Sequence, residues 1–229
     1  MKNKRIVFLL LLLIVYTCDA YKFMQEDDKV TWHPSTEEWN FGGNNYATIE
    51  NEHVYVKKEF SVVSWFYPTE YVAFARIYEK GGYKIGGGYS LEFHPNGNYK
   101  AVCRVWDGTK DYSALSNLKL SLERWHQVVC VYKNDTLTIY VNGEKAASGV
   151  DAKMSYNENK LTVGKAASGG SFFKGQIDRI DIIDRALSYE EIRSDYNHYK
   201  EFAGGKDPNF NLAKFLSNEK QELYDPEKT

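Results

Sequence analysis

The sequence predicts an all-β fold of antiparallel strands, with one or two helices after the last strand. Short runs of alternating apolar and polar residues recur through the middle of the chain, and Asn-Gly, Gly-Gly or Pro residues separate many of them. Such period-two runs place apolar side chains on one face of a strand. With 229 residues and a 43% hydrophobic share, the chain can fill one buried core. We therefore expect a single β domain.

The clearest hairpin lies within residues 120–149. Apolar residues alternate over residues 127–132 and again over residues 136–141, which predicts two strands. An Asn-Asp pair at residues 134–135 supplies turn chemistry, because both residue types tolerate left-handed backbone. An Asn-Gly pair at residues 142–143 suits a two-residue turn. A third short strand should therefore fold back after it.

Further strands are predicted on both sides of this hairpin, at residues 47–56, 60–66, 71–80, 91–93, 99–106, 161–163 and 175–183. The run at residues 60–66 is apolar on both faces, which favours a central place in a sheet. In the last strand, strict alternation puts Ile177, Arg179 and Asp181 on one face and Ile180 on the other.

Two helices are expected after the last strand. Ser188-x-x-Glu191 is a capping box, which predicts a helix from residue 189 to about residue 202. Asp207 and Pro208 are typical of a second helix start, over residues 208–224. Its apolar residues form one stripe: Leu212, Phe215, Leu216 and Leu223. We expect this stripe to dock either on the domain itself or on a partner protein.

Five segments occur in an order typical of a known family. They are residues 41–46, residues 60–68, residues 88–108, Trp125-His126-x-Val128 with residues 137–143, and residues 161–196. Together they resemble the laminin-G-like modules, which are relatives of pentraxins and concanavalin A-like lectins. The resemblance covers about residues 41–196 and implies a two-sheet antiparallel jelly-roll sandwich.

The chain divides into four parts. Residues 1–20 resemble a secretory signal peptide, with a basic start, an apolar run and a cleavage site after Ala20; lipidation of Cys18 is the alternative. Residues 21–40 form a lead-in segment, residues 41–205 the domain and residues 206–229 the helical tail. We expect a secreted, extracellular or secretory-lumen protein without a transmembrane segment in its mature chain.

Two cysteines, Cys103 and Cys130, remain after cleavage. Secretion permits a disulfide. We expect their strands to pair side by side, with Trp106 near Gln127, which would bring the two sulfur atoms together. The alternative is a pair of buried thiols.

Composition and motifs argue against several classes of function. A formal net charge of −2 gives no basic surface for nucleic acid. Related glycanases carry paired carboxylates on one strand, whereas Asp178, Asp181 and Asp184 recur every three residues and should be structural. The histidines lack a two-His metal spacing. The sequence therefore predicts a protein that is not an enzyme and that has no cofactor.

Calcium binding stays an open possibility, because the resemblance implies a calcium site in many relatives. This chain has Gly42 where the family usually has Asp, so only the side-chain amides of Asn44 and Asn45 remain as ligands.

Aromatic residues in predicted loops suggest a binding site. Tyr83 and Tyr89 flank a glycine-rich loop, and Trp106, Asp107 and Tyr112 belong to the next hairpin loop. Hairpin geometry places both loops at the same end of the sandwich. Exposed aromatic rings beside polar groups suit sugars; packing of these rings in the core is the alternative.

The sequence therefore predicts a non-catalytic secreted recognition module for glycans or an extracellular protein. Two other functions stay open, a scaffold or adhesion subunit that uses the helix at residues 208–224 and a divergent glycoside hydrolase. Asn134-Asp135-Thr136 is also an N-glycosylation acceptor sequence at a predicted hairpin tip.

Overall fold

The computed structural model describes residues 39–50, 56, 58–82, 86–96, 98–147 and 149–200, which form two antiparallel sheets and one helix, α1 (Tyr189–Tyr199). The seven-stranded sheet has the order β1 (Trp39–Gly42), β13 (Lys174–Ile183), β3 (Phe60–Pro68), β8 (His126–Lys133), β9 (Thr136–Val141), β10 (Glu144–Lys145), with β11 (Val150–Asp151) also on β9. The six-stranded sheet has the order β2 (Ala47–Ile49), β12 (Leu161–Val163), β4 (Arg76–Gly82), β5 (Gly87–Phe93), β6 (Lys100–Trp106), β7 (Asp111–Lys119). This is the predicted two-sheet sandwich. Of the helices in the described residues, none has the length and apolar character needed to cross a bilayer.

The predicted hairpin forms as expected. Asn134 and Asp135 make the β8–β9 turn with φ angles of 48° and 54°. Asn142 and Gly143 make the β9–β10 turn with φ angles of 52° and 78°. Both turns use left-handed backbone at two successive residues, which matches the twist of antiparallel strands. The local sequence therefore fixes this part of the fold.

Strand β3 lies centrally, between β13 and β8, as its two apolar faces predict. The strand predicted at residues 71–80 starts later, at Arg76. Phe74 has a φ of 62°, and left-handed backbone interrupts an extended strand. The structure thus shortens this strand at its N-terminal end.

The core lies between the two sheets and takes side chains from both. Phe173 packs against Phe41, Phe66 and Phe93, at centroid distances of 6.1, 5.9 and 6.2 Å. Aromatic rings at such separations add to the gain from burial. This cluster fills the end of the sandwich that lies away from Gly87, the first residue of β5.

A disulfide joins Cys103 to Cys130, with a Cα–Cα distance of 5.7 Å. The bridge was expected, but the predicted pairing of its two strands is wrong. Strand β6 pairs with β5 and β7, whereas β8 pairs with β3 and β9. Both cysteines belong to the buried core, so the bridge crosses from one sheet to the other.

Strand β13 contains a bulge at Asp178. Ile177 lies opposite Phe66 and Arg179 opposite Trp65, so Asp178 is an extra residue in the register. The prediction that Ile177 shares a face with Arg179 is therefore wrong. Ile177, Ile180 and Ile182 all belong to the core.

The bulge turns Arg179 toward helix α1. Arg179 Nη1 donates to Asp195 Oδ1 at 2.9 Å, and its Nε donates to Asp181 Oδ2 at 2.5 Å. Gln127 Nε2 donates to the other Asp195 oxygen at 2.6 Å. These side chains are all fully buried. The network fixes the helix to the outer face of the seven-stranded sheet.

The capping box at Ser188 and Glu191 is present, as predicted. The helix ends at Tyr199, earlier than the expected residue 202. The leader, most of the lead-in segment and the predicted helix at residues 208–224 lie outside the described residues.

Replacing both cysteines (Cys103→Ala with Cys130→Ala) should lower the free energy of unfolding by about 3.5 kcal/mol, because the bridge closes a loop with a sequence separation of 27 residues. Urea denaturation followed by tryptophan fluorescence measures the change. Adding dithiothreitol should destabilise the wild type and leave the double variant unaffected. If the wild type and the double variant had equal urea midpoints without reductant, the bridge would not be stabilising.

Arg179→Met should destabilise the fold by about 3–5 kcal/mol at neutral pH, because it leaves the buried carboxylates of Asp181 and Asp195 without their cation. Arg193→Met is the matched control. Its side chain is 54% exposed and pairs with Glu144 at 3.0 Å, so its loss should change stability little. Urea midpoints compare the two variants, and equal losses would show that the buried network does not stabilise the helix.

Candidate functional site

Residues 152–160, named here the end segment, connect the ends of the two sheets. Ser155 N–H donates to Trp106 O at 2.8 Å, and Gly88 N–H donates to Ser155 O at 3.0 Å. On the side of the seven-stranded sheet, Ala152 N–H donates to Asp135 O at 2.8 Å. The end segment therefore lies at the end of the sandwich where the glycine-rich loop was predicted.

Glycines allow the end segment to approach this closely. Gly87 has a φ of 96°, and a Cβ atom there would lie 2.3 Å from Ser155 O. Lys80 Nζ donates to Asn159 O at 2.5 Å, and burial lowers the pKa of Lys80 to about 8. Glycine at position 87 thus permits a close backbone contact with Ser155, and the Lys80 amine points at the end segment.

Two of the predicted binding aromatics pack inside the protein. The Tyr89 ring lies 5.0 Å from the Phe60 ring, and burial raises its pKa. Tyr89 and Trp106 are each 2% exposed, so neither presents a ring face to solvent. The packing alternative therefore holds at these two positions. Tyr83 lies outside the described residues.

Asp107 of the β6–β7 loop meets Tyr112, the second residue of β7, at the end of the sandwich that the sequence suggested. Asp107 Oδ1 accepts from Thr109 N–H at 2.9 Å and from Lys110 N–H at 2.8 Å, and Oδ2 accepts from the Tyr112 hydroxyl at 3.0 Å. The donors from Thr109 and Lys110 lower the pKa of Asp107, and the bond to Asp107 raises the pKa of Tyr112. Lys110 Nζ lies 4.9 Å from the Tyr112 ring centroid. These side chains shape the loop, and a ligand role for them stays a prediction.

A groove of about 740 Å³, named here the end groove, lies beside the end segment. It is lined by Lys58, Glu59, Tyr132, Asn134, Asp135, Met154, Tyr156, Asp184 and Arg185. Tyr156 is 42% exposed and offers an aromatic surface. The Tyr132 hydroxyl donates to Asp135 Oδ1 at 2.9 Å, and burial raises the pKa of Tyr132. The groove therefore combines apolar surface with both signs of charge.

Sequence reasoning missed the end groove. Its walls come from the ends of β8 and β13, from residues 58–59 and from the end segment, which has no strand alternation. The one local signal is Tyr156, an aromatic residue between Ser155 and Asn157 in an otherwise polar stretch.

Several carboxylates outside the end groove are paired with donors. Asp178 accepts from the Tyr199 hydroxyl at 2.5 Å. On the six-stranded sheet, Glu79 accepts from Arg76 Nε at 2.7 Å. Arg76 also pairs with Glu92, which accepts from Arg104 Nη2 at 2.6 Å. Glu79 and Glu92 therefore converge from neighbouring strands with guanidinium groups beside them, and burial raises the pKa of Glu79.

The loop considered for calcium uses its amide internally. Asn45 Oδ1 accepts from Gly42 N–H at 2.7 Å, and Asn45 Nδ2 donates to Asn40 O at 2.7 Å. Residues 42–46 contain no carboxylate. These residues do not fit the oxygen-rich shell that calcium prefers. Elsewhere in the described ranges, no group of three or more His, Cys, Asp or Glu side chains is arranged to hold a metal ion.

Solved structures share this fold at low sequence identity. The sialidase CBM40 domain of Ruminococcus gnavus, bound to α2,3-sialyllactose, is 13% identical, with 72% of this chain and 97% of that chain covered and a TM-score of 0.58. Domain 4 of the extracellular arabinanase AbnA of Geobacillus stearothermophilus, in complex with arabinotriose, is 16% identical, with 73% and 98% covered and a TM-score of 0.56. Domains LG4-5 of the mouse laminin α1 chain are 16% identical, with 69% and 45% covered and a TM-score of 0.54.

A search of curated proteins finds no match to the chain. The Laminin_G_3 family model, described as the concanavalin A-like lectin/glucanases superfamily, matches residues 41–193. This match agrees with the two-sheet topology and with the resemblance found in the sequence. The chain therefore belongs to the concanavalin A-like lectin/glucanases superfamily.

Proposed function

We propose that the protein is a non-catalytic recognition module that binds glycans in the end groove. The observation that carries the proposal is the combination of an open groove of about 740 Å³ with the exposed Tyr156 ring and polar side chains around it. Sugars present apolar ring faces and hydroxyl groups, so they need an aromatic surface beside hydrogen-bonding groups. Glu59 and Asp135 carry acceptor oxygens and Lys58 carries donors, and Arg185, which also pairs with Glu191 at 2.9 Å, adds a guanidinium group to the lining.

The similar structures support a saccharide as the ligand class. The CBM40 domain is bound to sialyllactose and the arabinanase domain to arabinotriose, so two proteins of this fold hold oligosaccharides. Fold alone does not fix function. The proposal therefore rests on the chemistry of the end groove in this chain.

The contacts of the acidic residues support a non-catalytic role. Glycoside hydrolysis needs two carboxyl groups free to flank one glycosidic bond. Asp181 pairs with Arg179, Asp178 binds Tyr199, and Glu92 lies between two arginines. The guanidinium groups of Arg76 and Arg104 therefore already engage the carboxylate of Glu92. This argues against hydrolysis on the six-stranded sheet.

We propose in addition that the protein is secreted. The Cys103–Cys130 disulfide suits an oxidising compartment, where such bridges persist. The predicted signal peptide at residues 1–20 would direct the chain there. Docking of a partner on residues 208–224 stays a prediction, because those residues lie outside the described ranges.

Tyr156→Ala should abolish binding on a glycan array, or weaken it by about tenfold or more, because it removes the exposed aromatic surface of the groove. The residue is 42% exposed, so the variant should still fold, and its urea midpoint measures how much stability the ring contributes. Array fluorescence at several protein concentrations measures the loss.

Two variants serve as controls for this experiment. Tyr46→Ala removes another exposed ring, 51% exposed and outside the groove lining, and should leave array binding unchanged. Tyr112→Phe removes the hydroxyl that binds Asp107 and tests the loop suggested by the sequence. Loss of binding only in Tyr112→Phe would show that the glycan binds at the β6–β7 loop and not in the end groove. New reducing ends released from a bound oligosaccharide would contradict the non-catalytic role.

A further inference from the structure

The acceptor sequence Asn134-Asp135-Thr136 coincides with the β8–β9 turn. Asn134 is exposed, and it lines the end groove together with Asp135. Neither the fold nor the proposed binding role requires an acceptor sequence at this point. The same asparagine can therefore carry a modification at the edge of the groove.

The side chain of Asn134 is available for this chemistry. Thr136 Oγ1 donates to the backbone carbonyl of Asn134 at 3.4 Å and leaves the side-chain amide untouched. Among the residues that the structure describes, no recorded hydrogen bond involves that amide. The turn is held instead by Asp135, which accepts from the Tyr132 hydroxyl and from Ala152 N–H. The turn thus leaves Asn134 Nδ2 free to react.

We propose that Asn134 carries an N-linked glycan whose first sugars occupy the end groove of the same chain. The donor is an oligosaccharide joined to a lipid diphosphate. Asn134 Nδ2 forms a bond to the anomeric carbon, the bond from that carbon to the diphosphate oxygen breaks, and the amide loses one proton as the diphosphate leaves. The modified chain therefore covers its own groove, and the unmodified chain presents it.

Tethering decides whether the attached glycan fills the groove. A ligand held on a very short link has an effective concentration in the millimolar range. Asn134 is itself a lining residue, so the first sugar starts at the groove wall. A groove with only millimolar affinity for a free sugar would then be about half occupied by the attached one. This inference rests on the proposed function, because it assigns the same groove to a saccharide.

Hydroxyl-radical footprinting of the full chain from a eukaryotic secretory host tests the proposal. Oxidation of Tyr156 should be about twofold or more lower in the glycosylated wild type than in Asn134→Gln. Thr136→Ser keeps the acceptor sequence and should retain the protection, whereas Thr136→Ala should lose it. Tyr46 is the internal control, and its oxidation should be the same in every form.

Two results would overturn the proposal. One is an intact mass that shows no glycan on Asn134. The other is a glycosylated chain in which Tyr156 oxidises as fast as in Asn134→Gln. Array binding separates this inference from the proposed function. If Asn134→Gln binds nothing on the array while Tyr156 is protected in the glycosylated wild type, the proposed function is contradicted and the inference is supported.

Discussion

The contact between the apolar inner faces of the two sheets is the constraint on which the rest of the structure depends. Strand β6 contributes Cys103 and strand β8 contributes Cys130, and their disulfide ties the layers together within the core. Once the layers are paired, their ends lie at a fixed separation that residues 152–160 can bridge. The end groove exists because this segment and the β8–β9 turn meet beside that closed end.

The sequence predicted the local structure well, because turn and cap chemistry is carried by adjacent residues. The two hairpin turns and the capping box at Ser188 are examples. It failed where geometry is not local. Strict alternation of faces holds only in a strand without a bulge. The extra residue at Asp178 breaks the alternation, so Arg179 contacts helix α1 and does not share a face with Ile177. Likewise, alternation shows that Cys103 and Cys130 face inward but not that they face each other across two layers.

The sequence pointed to the end of the sandwich where the end groove lies, but it did not predict the groove, whose lining includes neither Asp107 nor Tyr112. Hairpin adjacency correctly placed the loop before Tyr89 and the loop after Trp106 at one end, since Gly88 pairs with Trp106. Burial could not be read in the same way, because the 2% exposure of Trp106 depends on tertiary packing that strand alternation does not show. The ring that is exposed there, Tyr156, comes from a segment held by backbone contacts to both sheets. Those contacts leave no periodic pattern in the sequence.

The two turns of the central hairpin differ in a way that bears on function. Asn142-Gly143 uses glycine, and a Cβ there would make a tight contact of 3.0 Å with the Tyr196 side chain. Asn134-Asp135 adopts the same left-handed backbone without glycine, which costs roughly 1–2 kcal/mol at Asp135. The Asp135 side chain offsets this cost by accepting a hydrogen bond from the Tyr132 hydroxyl at 2.9 Å. This bond stabilises one wall of the groove. A turn optimised for folding alone would favour glycine at this position, whereas this one keeps a carboxylate and an amide at the edge of the groove.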